Sequence, residues 1–309
     1  MPYTITTLTS LLFLLLSQTA TAIEPSQLRM PSLVLGYSLN TLVDVDPADA
    51  KAASQIWLIS LLKSLNKEQT GALAQVTIYQ TDKEMLNALQ SSKVDILLLT
   101  ALEYLALKSR VPITPFMLTQ NYASGQYAYG LYVHKDSGLD HLHQLKHKTL
   151  TIQTRNQTDL DLPQLWLDTL LLENGLEVYS ILFKSTQIFS KTSQAVLPVF
   201  FQKADACLVP IPEFEVLSQF NPQIKRDLKC IAQSPAYIRS LICARTAFFD
   251  QFQDLIQPAI LDLNNTTHGR QLRLLFKSNN DLAPFEAHQL GSVESLIEKH
   301  RALTSGQKK

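Results

Sequence analysis

The chain has 309 residues, of which 17% are charged and 46% hydrophobic, and its 27 basic side chains are balanced by 27 acidic ones. Because nucleic acids and anionic membrane surfaces are bound through clustered Lys and Arg, this even charge excludes both as expected partners. The low charged fraction and the 9 glycines indicate a well-packed protein of one large or two medium domains.

The first 22 residues predict a signal peptide. Residues 1–22 contain no Asp, Glu, Lys or Arg, and the apolar run 11–16 is followed by the small, polar stretch 17–22. This order matches a hydrophobic region followed by an A-x-A cleavage site, and the run is far shorter than the roughly 20 residues that span a bilayer. We therefore predict cleavage after Ala22 and export to a periplasm.

Strand and helix patterns alternate in the first half of the remaining chain. Segments 33–37, 75–79 and 94–99 are short and apolar, which is typical of strands. Segment 47–65 has apolar residues at helical spacing, and 82–89 predicts a short helix. This β-α-β-α-β order predicts a mostly parallel sheet covered by helices.

The second half of the chain repeats the alternation. A tyrosine-rich extended segment ends at Val133, and a strand over 149–152, a helix over Leu162–Glu173, a helix over 194–202 and a strand over 206–209 follow. Two similar α/β units joined by extended segments predict two lobes with a cleft between them. A ligand in such a cleft meets the loops at the carboxyl ends of the strands.

The three cysteines, Cys207, Cys230 and Cys243, all lie in the second half of the chain. Cys230 and Cys243 occupy apolar segments that could be adjacent strands, and an oxidising compartment would permit a disulfide between them. The alternative is that they are buried free thiols acting as small hydrophobes.

Several segments, taken in chain order, resemble one family. Lys93–Leu99, followed by Glu103, Tyr104 and Leu105, resembles "G-K-V-D-I-x-W-L-G-P-x-x-Y", and Val133–Leu139 resembles the start of "V-x-K-D-S-G-I-x-x-L-x-x-L-K-G-K". Ala204–Ala206 resembles "G-x-A-D-A", and Gln233–Pro235 with Leu241–Arg245 resembles "S-P-x-x-P-x-x-P-L-V-A-R". The chain thus resembles the phosphate/phosphonate-type periplasmic substrate-binding proteins of ABC transporters.

This resemblance implies a two-lobed α/β fold of the type II periplasmic binding-protein class, with two mixed or parallel sheets flanked by helices. We expect lobe one to comprise residues 23–125 plus 245–309 and lobe two residues 130–235. Hinge segments are expected near 126–133 and 234–244. The protein is expected to be a monomer that needs no cofactor.

The implied function is capture of a small polar or anionic molecule in the interlobe cleft and its delivery to an ABC permease. One alternative is an exported sensor of the same fold that acts on a membrane signalling partner. A second is a periplasmic hydrolase or lyase that uses Asp82, Glu103 or a histidine. The sequence has no G-x-S-x-G, Gly-rich phosphate loop, H-E-x-x-H or catalytic Cys/His signature, so we expect no enzyme.

In the resembled family the start of a lobe-two helix holds the anion through backbone N–H groups and hydroxyls, as unpaired helix donors allow. Here Arg155, Asn156 and Thr158 lie at that point, and Asp159 and Asp161 follow them. Thr158 or Asp159 could instead be a helix N-cap. The family's His-Asp pair is absent from segment 191–194, so the resemblance implies the cleft without a particular ligand.

Other candidate ligand-binding residues follow the predicted strands and the first hinge. If the carboxyl ends of the strands face the cleft, side chains just beyond them reach a bound ligand. The residues concerned are Tyr37, Ser38, Thr81, Thr100, Tyr104 and Tyr127. The alternative for Tyr37 and Tyr104 is ordinary packing, since Tyr is intermediate in burial.

A histidine cluster is the remaining candidate for chemistry. His141, His143 and His147 form H-x-H-x3-H, but in a helix only the last two share a face. We expect solvated histidines and no metal site.

Overall fold

The computed structural model describes residues 32–42, 45–65, 73–118, 126–154, 161–276 and 282–306. The signal peptide predicted over residues 1–22 lies outside these ranges. The strands of the described ranges are β1 (Ser32–Ser38), β2 (Leu73–Tyr79), β3 (Ile96–Thr100), β4 (Ile113–Leu118), β5 (Gln126–Tyr127), β6 (Tyr129–His134), β7 (Thr149–Gln153), β8 (Ser185–Phe189), β9 (Ala206–Pro210), β10 (Leu228–Gln233), β11 (Tyr237–Ile238), β12 (Ser240–Arg245) and β13 (Ala283–Pro284). The α-helices are α1 (Pro47–Leu65), α2 (Asp82–Gln90), α3 (Ala101–Leu107), α4 (Leu162–Glu173), α5 (Tyr179–Leu182), α6 (Thr192–Phe200), α7 (Ile211–Phe220), α8 (Pro222–Asp227), α9 (Thr246–Leu261), α10 (Thr267–Leu275) and α11 (Gly291–Gly306).

The predicted helices and strands are confirmed, with small shifts at their ends. Helices α1 and α4 have the bounds expected from the sequence, whereas α6 begins and ends two residues earlier than expected. Helix α4 begins at its predicted position because Asp161 caps it: the Asp161 carboxylate accepts from the Leu162 N–H, and Gln164 completes a capping box.

The first sheet has the strand order β13-β4-β12-β3-β1-β2. Strand β1 lies between β2 and β3 and pairs in parallel with both, and β12 lies antiparallel between β3 and β4. All five residues of β3, Ile-Leu-Leu-Leu-Thr, are buried, as expected for a parallel strand covered on both faces.

The second sheet repeats this plan in the order β10-β6-β9-β7-β8. Strand β7 lies between β8 and β9 and pairs in parallel with both, while β6 lies antiparallel between β9 and β10. Each sheet therefore has a parallel trio and, beside it, an antiparallel strand. The shared plan confirms the α/β class and the two similar units expected from the sequence.

The chain crosses between the two sheets twice, and the two crossings pair with each other. Strand β5 precedes β6 in the first crossing, β11 precedes β12 in the second, and they form an antiparallel two-stranded ribbon with Tyr127 opposite Tyr237. These short strands lie within the segments expected to be hinges. The lobe and hinge limits given above stay predictions.

A repeated aspartate joins the strands of each parallel trio. Before β3, the Asp95 carboxylate accepts from the Val34 N–H in β1 at 2.9 Å, and the Asp95 N–H donates to the Val34 carbonyl. Before β9, the Asp205 carboxylate accepts from the Thr149 N–H in β7 at 2.8 Å, and its own N–H donates to the Thr149 carbonyl. The aspartates of the "K-V-D" and "A-D-A" segments behind the family resemblance thus have a structural role.

Three groups of buried side chains form the hydrophobic core. One contains residues of both sheets, such as Leu97 of β3 and Leu208 of β9, and so joins the two halves of the molecule. The second lies on the other face of the first sheet, under α1, α9 and α10. The third lies on the other face of the second sheet, under α6 and α7.

The disulfide considered between Cys230 and Cys243 is not formed. Cys230 lies in β10 at the edge of the second sheet, whereas Cys243 lies in β12 inside the first sheet. Cys207, Cys230 and Cys243 are all free thiols. The two segments are not adjacent strands, because the second crossing places them in different sheets. The free-thiol alternative is confirmed, with Cys207 and Cys243 buried and Cys230 exposed.

The C-terminal helix α11 packs against α4 of the second half. Lys299 of α11 forms an ion pair with Glu173 of α4, and His300 Nε2 lies 3.9 Å from the Asp168 carboxylate. Burial raises the pKa of Asp168 to about 6, and the hydrogen bond from the Tyr179 N–H opposes this shift. Burial also lowers the pKa of His300, so at neutral pH a charged carboxylate faces a neutral imidazole.

We expect Asp168→Asn to stabilise the protein at pH 7.5 by about 2 kcal/mol. Since the pKa of Asp168 is raised from 3.8 to about 6 on folding, the folded state binds more protons than the unfolded state between these values. Stability is therefore lost as the pH rises from 4 to 6, and an uncharged amide, which still accepts from Tyr179, removes that loss. Urea unfolding at several pH values measures it.

Asp250→Asn is the matched control because Asp250 is an exposed carboxylate of α9. It should reproduce the native pH profile. An Asp168→Asn profile that also parallels the native one between pH 4 and 6 would contradict the assignment of this titration to Asp168.

Candidate functional site

The carboxyl ends of the parallel strands of both sheets lie near the two crossings between the sheets. In the first sheet, Thr100 at the end of β3 pairs with Ser240 at the start of β12. In the second, Pro210 at the end of β9 pairs with Tyr129 at the start of β6. Arg239, which immediately precedes β12, accepts a hydrogen bond from the Ala101 N–H through its carbonyl. Parallel α/β sheets bind ligands at such edges.

A buried polar network occupies this edge of the first sheet. The Glu103 carboxylate accepts from the Ser38 hydroxyl at 2.5 Å, from Asn40 Nδ2 at 2.8 Å and from the Thr100 N–H at 2.8 Å. Thr100 in turn caps α3 by accepting from the Glu103 N–H at 3.2 Å. The capping box at α3 therefore holds Ser38 and Asn40 in place beside the end of β1.

Two opposing effects act on the pKa of Glu103. Burial raises the pKa of Glu103, and the hydrogen bonds from Ser38, Thr100 and Asn40 oppose that shift. A group with a raised pKa among fixed donors is common at functional sites, although structural networks produce the same pattern.

A second network lies at the corresponding edge of the second sheet. Gln153, the last residue of β7, donates from Nε2 to Glu213 of α7 at 2.6 Å. Thr192, the first residue of α6, donates to the Gln153 side-chain oxygen at 3.0 Å. The Tyr127 hydroxyl of the first crossing donates to the other oxygen of Glu213 at 3.3 Å. Gln153 and Thr192 are buried, so the network is well fixed.

Arg239 connects the two networks. It is half-buried, and its guanidinium carbon lies over the Tyr127 ring at 5.3 Å from the ring centre. Burial works against the charge, yet interactions with Tyr127, Glu213, Tyr129 and Asp161 hold the pKa of Arg239 above its ordinary value. The guanidinium is therefore a permanent cation at the junction of the sheets, stacked on an aromatic ring.

The start of α4 differs from the expected anion site. The N-cap is Asp161, not Thr158 or Asp159, and its carboxylate accepts from the Leu162 N–H at 2.8 Å and from the Thr154 hydroxyl at 2.7 Å. A carboxylate of the chain itself thus occupies the position where a helix start attracts anions.

The structure brings three of the residues singled out from the sequence to this junction. Ser38 and Thr100 belong to the first network, and Tyr127 belongs to the second. Arg155, Asn156 and Thr158 lie outside the described residues.

The other three residues singled out from the sequence lie away from this junction, where their side chains pack in the core or cap a helix. Tyr37 is buried on the face of the first sheet that lies under α1, α9 and α10, where its hydroxyl bonds Ser54 at 2.8 Å. Thr81 is the exposed N-cap of α2 and accepts from the Glu84 N–H. Tyr104 is buried within α3, and Lys108 lies over its ring at 5.9 Å. We therefore leave these three out of the site proposed below.

Sequence reasoning missed Arg239, Glu213 and Gln153. One signal could have identified Arg239. It is the single cation between the apolar pairs Tyr237-Ile238 and Leu241-Ile242, inside an expected hinge. Glu213 and Gln153 follow or end strands, and thus meet the same criterion that selected Ser38 and Thr100.

Neither a metal site nor a membrane span is found in the described part of the chain. Within those residues, no three His, Cys, Asp or Glu side chains are grouped so as to hold a metal ion. The His141 and His143 rings stack on each other at 5.5 Å. Across the same residues, every helix is too short or too polar to cross a bilayer.

One family model matches the sequence, over residues 47–286, and it describes the periplasmic substrate-binding proteins of phosphonate ABC transporters. No curated protein matches the chain.

Many solved structures share the fold at low sequence identity. XAC2383 from Xanthomonas citri, solved bound to ATP, is 14% identical with a TM-score of 0.67, covering 89% of this chain and 98% of that one. A binding-protein component of a Pseudomonas aeruginosa ABC phosphonate transporter is 17% identical with a TM-score of 0.63, over 89% and 88% of the two chains. PhnD1 from Prochlorococcus marinus, solved with methylphosphonate, is 15% identical with a TM-score of 0.62, over 88% and 98%.

Proposed function

The chain belongs to the phosphonate-type periplasmic substrate-binding proteins of ABC transporters, and on that premise we propose that its ligand is a small anion that also carries a hydrogen-bond donor. The family captures a small molecule in the periplasm for an ABC transporter. The proposal concerns which chemical groups the ligand of this chain presents.

The observation that carries the proposal is Arg239 at the junction of the two sheets. Its half-buried guanidinium lies over Tyr127, and a guanidinium binds carboxylate, phosphonate or phosphate through two parallel hydrogen bonds. Burial strengthens such contacts because water competes less well for the charge.

The carboxylates around Arg239 support a donor on the ligand. Glu213 and Asp161 both act on the charge of Arg239, and Glu103 lies in the network beside its main chain. A ligand with negative charge alone would be repelled by these groups, whereas an amine or hydroxyl would bond them. An anion with an amine or hydroxyl a few bonds away fits this charge pattern.

Closure about the paired crossings is the proposed binding motion. Strands β5 and β11 pair only with each other among the described strands, and few loop or strand-end residues suffice to absorb a hinge rotation. We propose that residues 23–125 plus 245–309 form one lobe, that 130–235 form the other, and that the segments 126–133 and 234–244 bend. Arg155, Asn156 and Thr158 remain proposed ligand contacts.

The remaining expectations complete the proposal. We infer removal of a signal peptide after Ala22, a monomeric mature protein, no enzymatic turnover of the ligand and no nucleic-acid partner. These rest on the residue patterns described above.

Two matched pairs of compounds test the ligand class. 2-Aminoethylphosphonate and ethylphosphonate differ only in an amine, as do β-alanine and propanoate. By isothermal titration calorimetry on the mature chain, we expect at least one amino compound to bind about tenfold tighter than its partner, as one charged hydrogen bond predicts. No binding of any of the four would contradict the proposal, and equal binding within both pairs would refute the donor requirement.

A further inference from the structure

A cavity of about 110 Å³ lies between the first sheet and the helices α1, α9 and α10, separate from the junction described above. Its wall is formed by the sheet residues Leu35 and Leu98, by Leu58 of α1 and Ile260 of α9, and by Phe276 just after α10. Protein interiors are packed as densely as organic crystals and leave few voids of this size. An open, apolar cavity beside a layer of helices is therefore a candidate ligand site.

The alternation of side chains along β1 separates this cavity from the polar networks. Leu35 and Tyr37 line the cavity and belong to the core under α1, α9 and α10, whereas Val34 packs against the core on the opposite face. Ser38, whose hydroxyl bonds Glu103, has the same parity as Val34. A molecule in the cavity and a molecule at Arg239 therefore contact different residues.

The polar groups of the cavity wall are few. The Tyr37 hydroxyl bonds Ser54 at 2.8 Å, and the Thr41 hydroxyl donates to the Ser38 carbonyl at 2.7 Å. Arg273 of α10 contributes the one charged side chain among the described lining residues. A mostly apolar wall with one guanidinium is typical of sites for molecules with an apolar body and an anionic head.

We propose that this cavity is a second binding site, for a small amphipathic anion whose apolar body is about the size of a benzene ring and whose carboxylate or phosphonate meets Arg273. Its volume compares with the roughly 150 Å³ of an engineered Leu/Ile/Phe-lined cavity that takes up benzene in another protein. The Phe276 ring, which stacks on Tyr37 at 5.7 Å between centres, provides an aromatic surface for such a body.

Three probes distinguish the body from the head. Phenylacetate has both, toluene lacks the anion, and acetate lacks the apolar body. By ligand-observed NMR titration of the mature chain, we expect phenylacetate to bind about tenfold or more tighter than either of the others. No saturable phenylacetate binding to the native protein, or equal binding of acetate, overturns the proposal.

Substitutions identify the cavity as the location. Arg273→Gln should weaken phenylacetate binding about tenfold and leave toluene unchanged, and Leu98→Phe should abolish the binding of both by filling the space. Ile260→Phe fills the same cavity from α9, in case Leu98→Phe does not fold. Unchanged phenylacetate binding in Arg273→Gln or in a folded filling variant refutes the assignment.

One further variant separates this inference from the proposed transport ligand. Arg239→Gln should retain the native affinity for phenylacetate, since Arg239 is not part of the cavity wall. If phenylacetate binding falls in Arg239→Gln and not in Arg273→Gln, the compound occupies the junction and the second site does not exist.

Discussion

Arg239→Gln is expected to weaken binding of the tightest amino compound of the test pairs about 10- to 100-fold. The guanidinium offers two parallel donors and a full charge at the meeting point of the two sheets, beside Tyr127 and the Glu213 network. Glutamine retains a donor but loses the charge and the pair of parallel N–H donors. Calorimetric titration of both proteins at one salt concentration measures the change.

Two companion variants make this test specific. Arg239→Lys retains the charge but lacks the two parallel N–H donors. Its ligand affinity should lie between those of the native protein and Arg239→Gln. Arg226→Gln removes an exposed guanidinium that pairs with the neighbouring Asp227 at 3.0 Å, and it should bind as the native protein does. Native affinity in Arg239→Gln would show that the ligand is held elsewhere.

Asp95→Asn is expected to lower the free energy of unfolding by about 3 kcal/mol without changing ligand affinity. The Asp95 carboxylate accepts from the Val34 N–H and forms an ion pair with Arg245 Nη2 at 3.0 Å. Both side chains are largely buried, with 11% and 23% exposed, and Arg245 Nε makes no hydrogen bond in the described structure. Removing the carboxylate charge therefore leaves a poorly solvated cation, and urea unfolding measures the cost.

The equivalent aspartate of the second sheet is the matched control. Asp205 makes the same main-chain contacts to Thr149 and also accepts from its hydroxyl, but its cation, Lys148, is 3.9 Å away and half-exposed. Asp205→Asn should cost about 1 kcal/mol, since exposed pairs contribute little. Equal losses in the two variants would mean that the strand contact, and not the Arg245 pair, accounts for the effect.

Much of the fold was predictable because its signals are local. The apolar runs of β1, β2 and β3 and the helical spacing of α1 and α4 lie within single segments, and Asp161 with Gln164 explains the start of α4. The pairing of segments was less accessible. Cys230 and Cys243 are near in sequence, yet β10 and β12 belong to different sheets. The pairing of a strand depends on the packing of the whole chain.

The candidate site was predictable in part for the same reason. Ser38 and Thr100 were selected because they follow strands, and they join one network. Tyr37 was selected on the same ground but packs in the core under α1, α9 and α10, since adjacent residues of a strand point to opposite faces. Which face α1, α9 and α10 cover is set by the packing of these helices, and the pattern within β1 cannot reveal it.

Composition and periodicity were sufficient for the α/β class and the two similar units, since these depend on the burial pattern along each segment. The substrate-binding family was indicated by the resemblance of motifs that occur in the same order. The meeting of Arg239 with Tyr127 and Glu213, and the Arg273 cavity, depended on tertiary structure alone. Arg239 reaches Tyr127 only because β5 pairs with β11, and Arg273 lines a cavity only because α10 packs against α1 on that face of the first sheet. Contacts between distant segments are selected by the free energy of the whole packed chain, and no single segment encodes them.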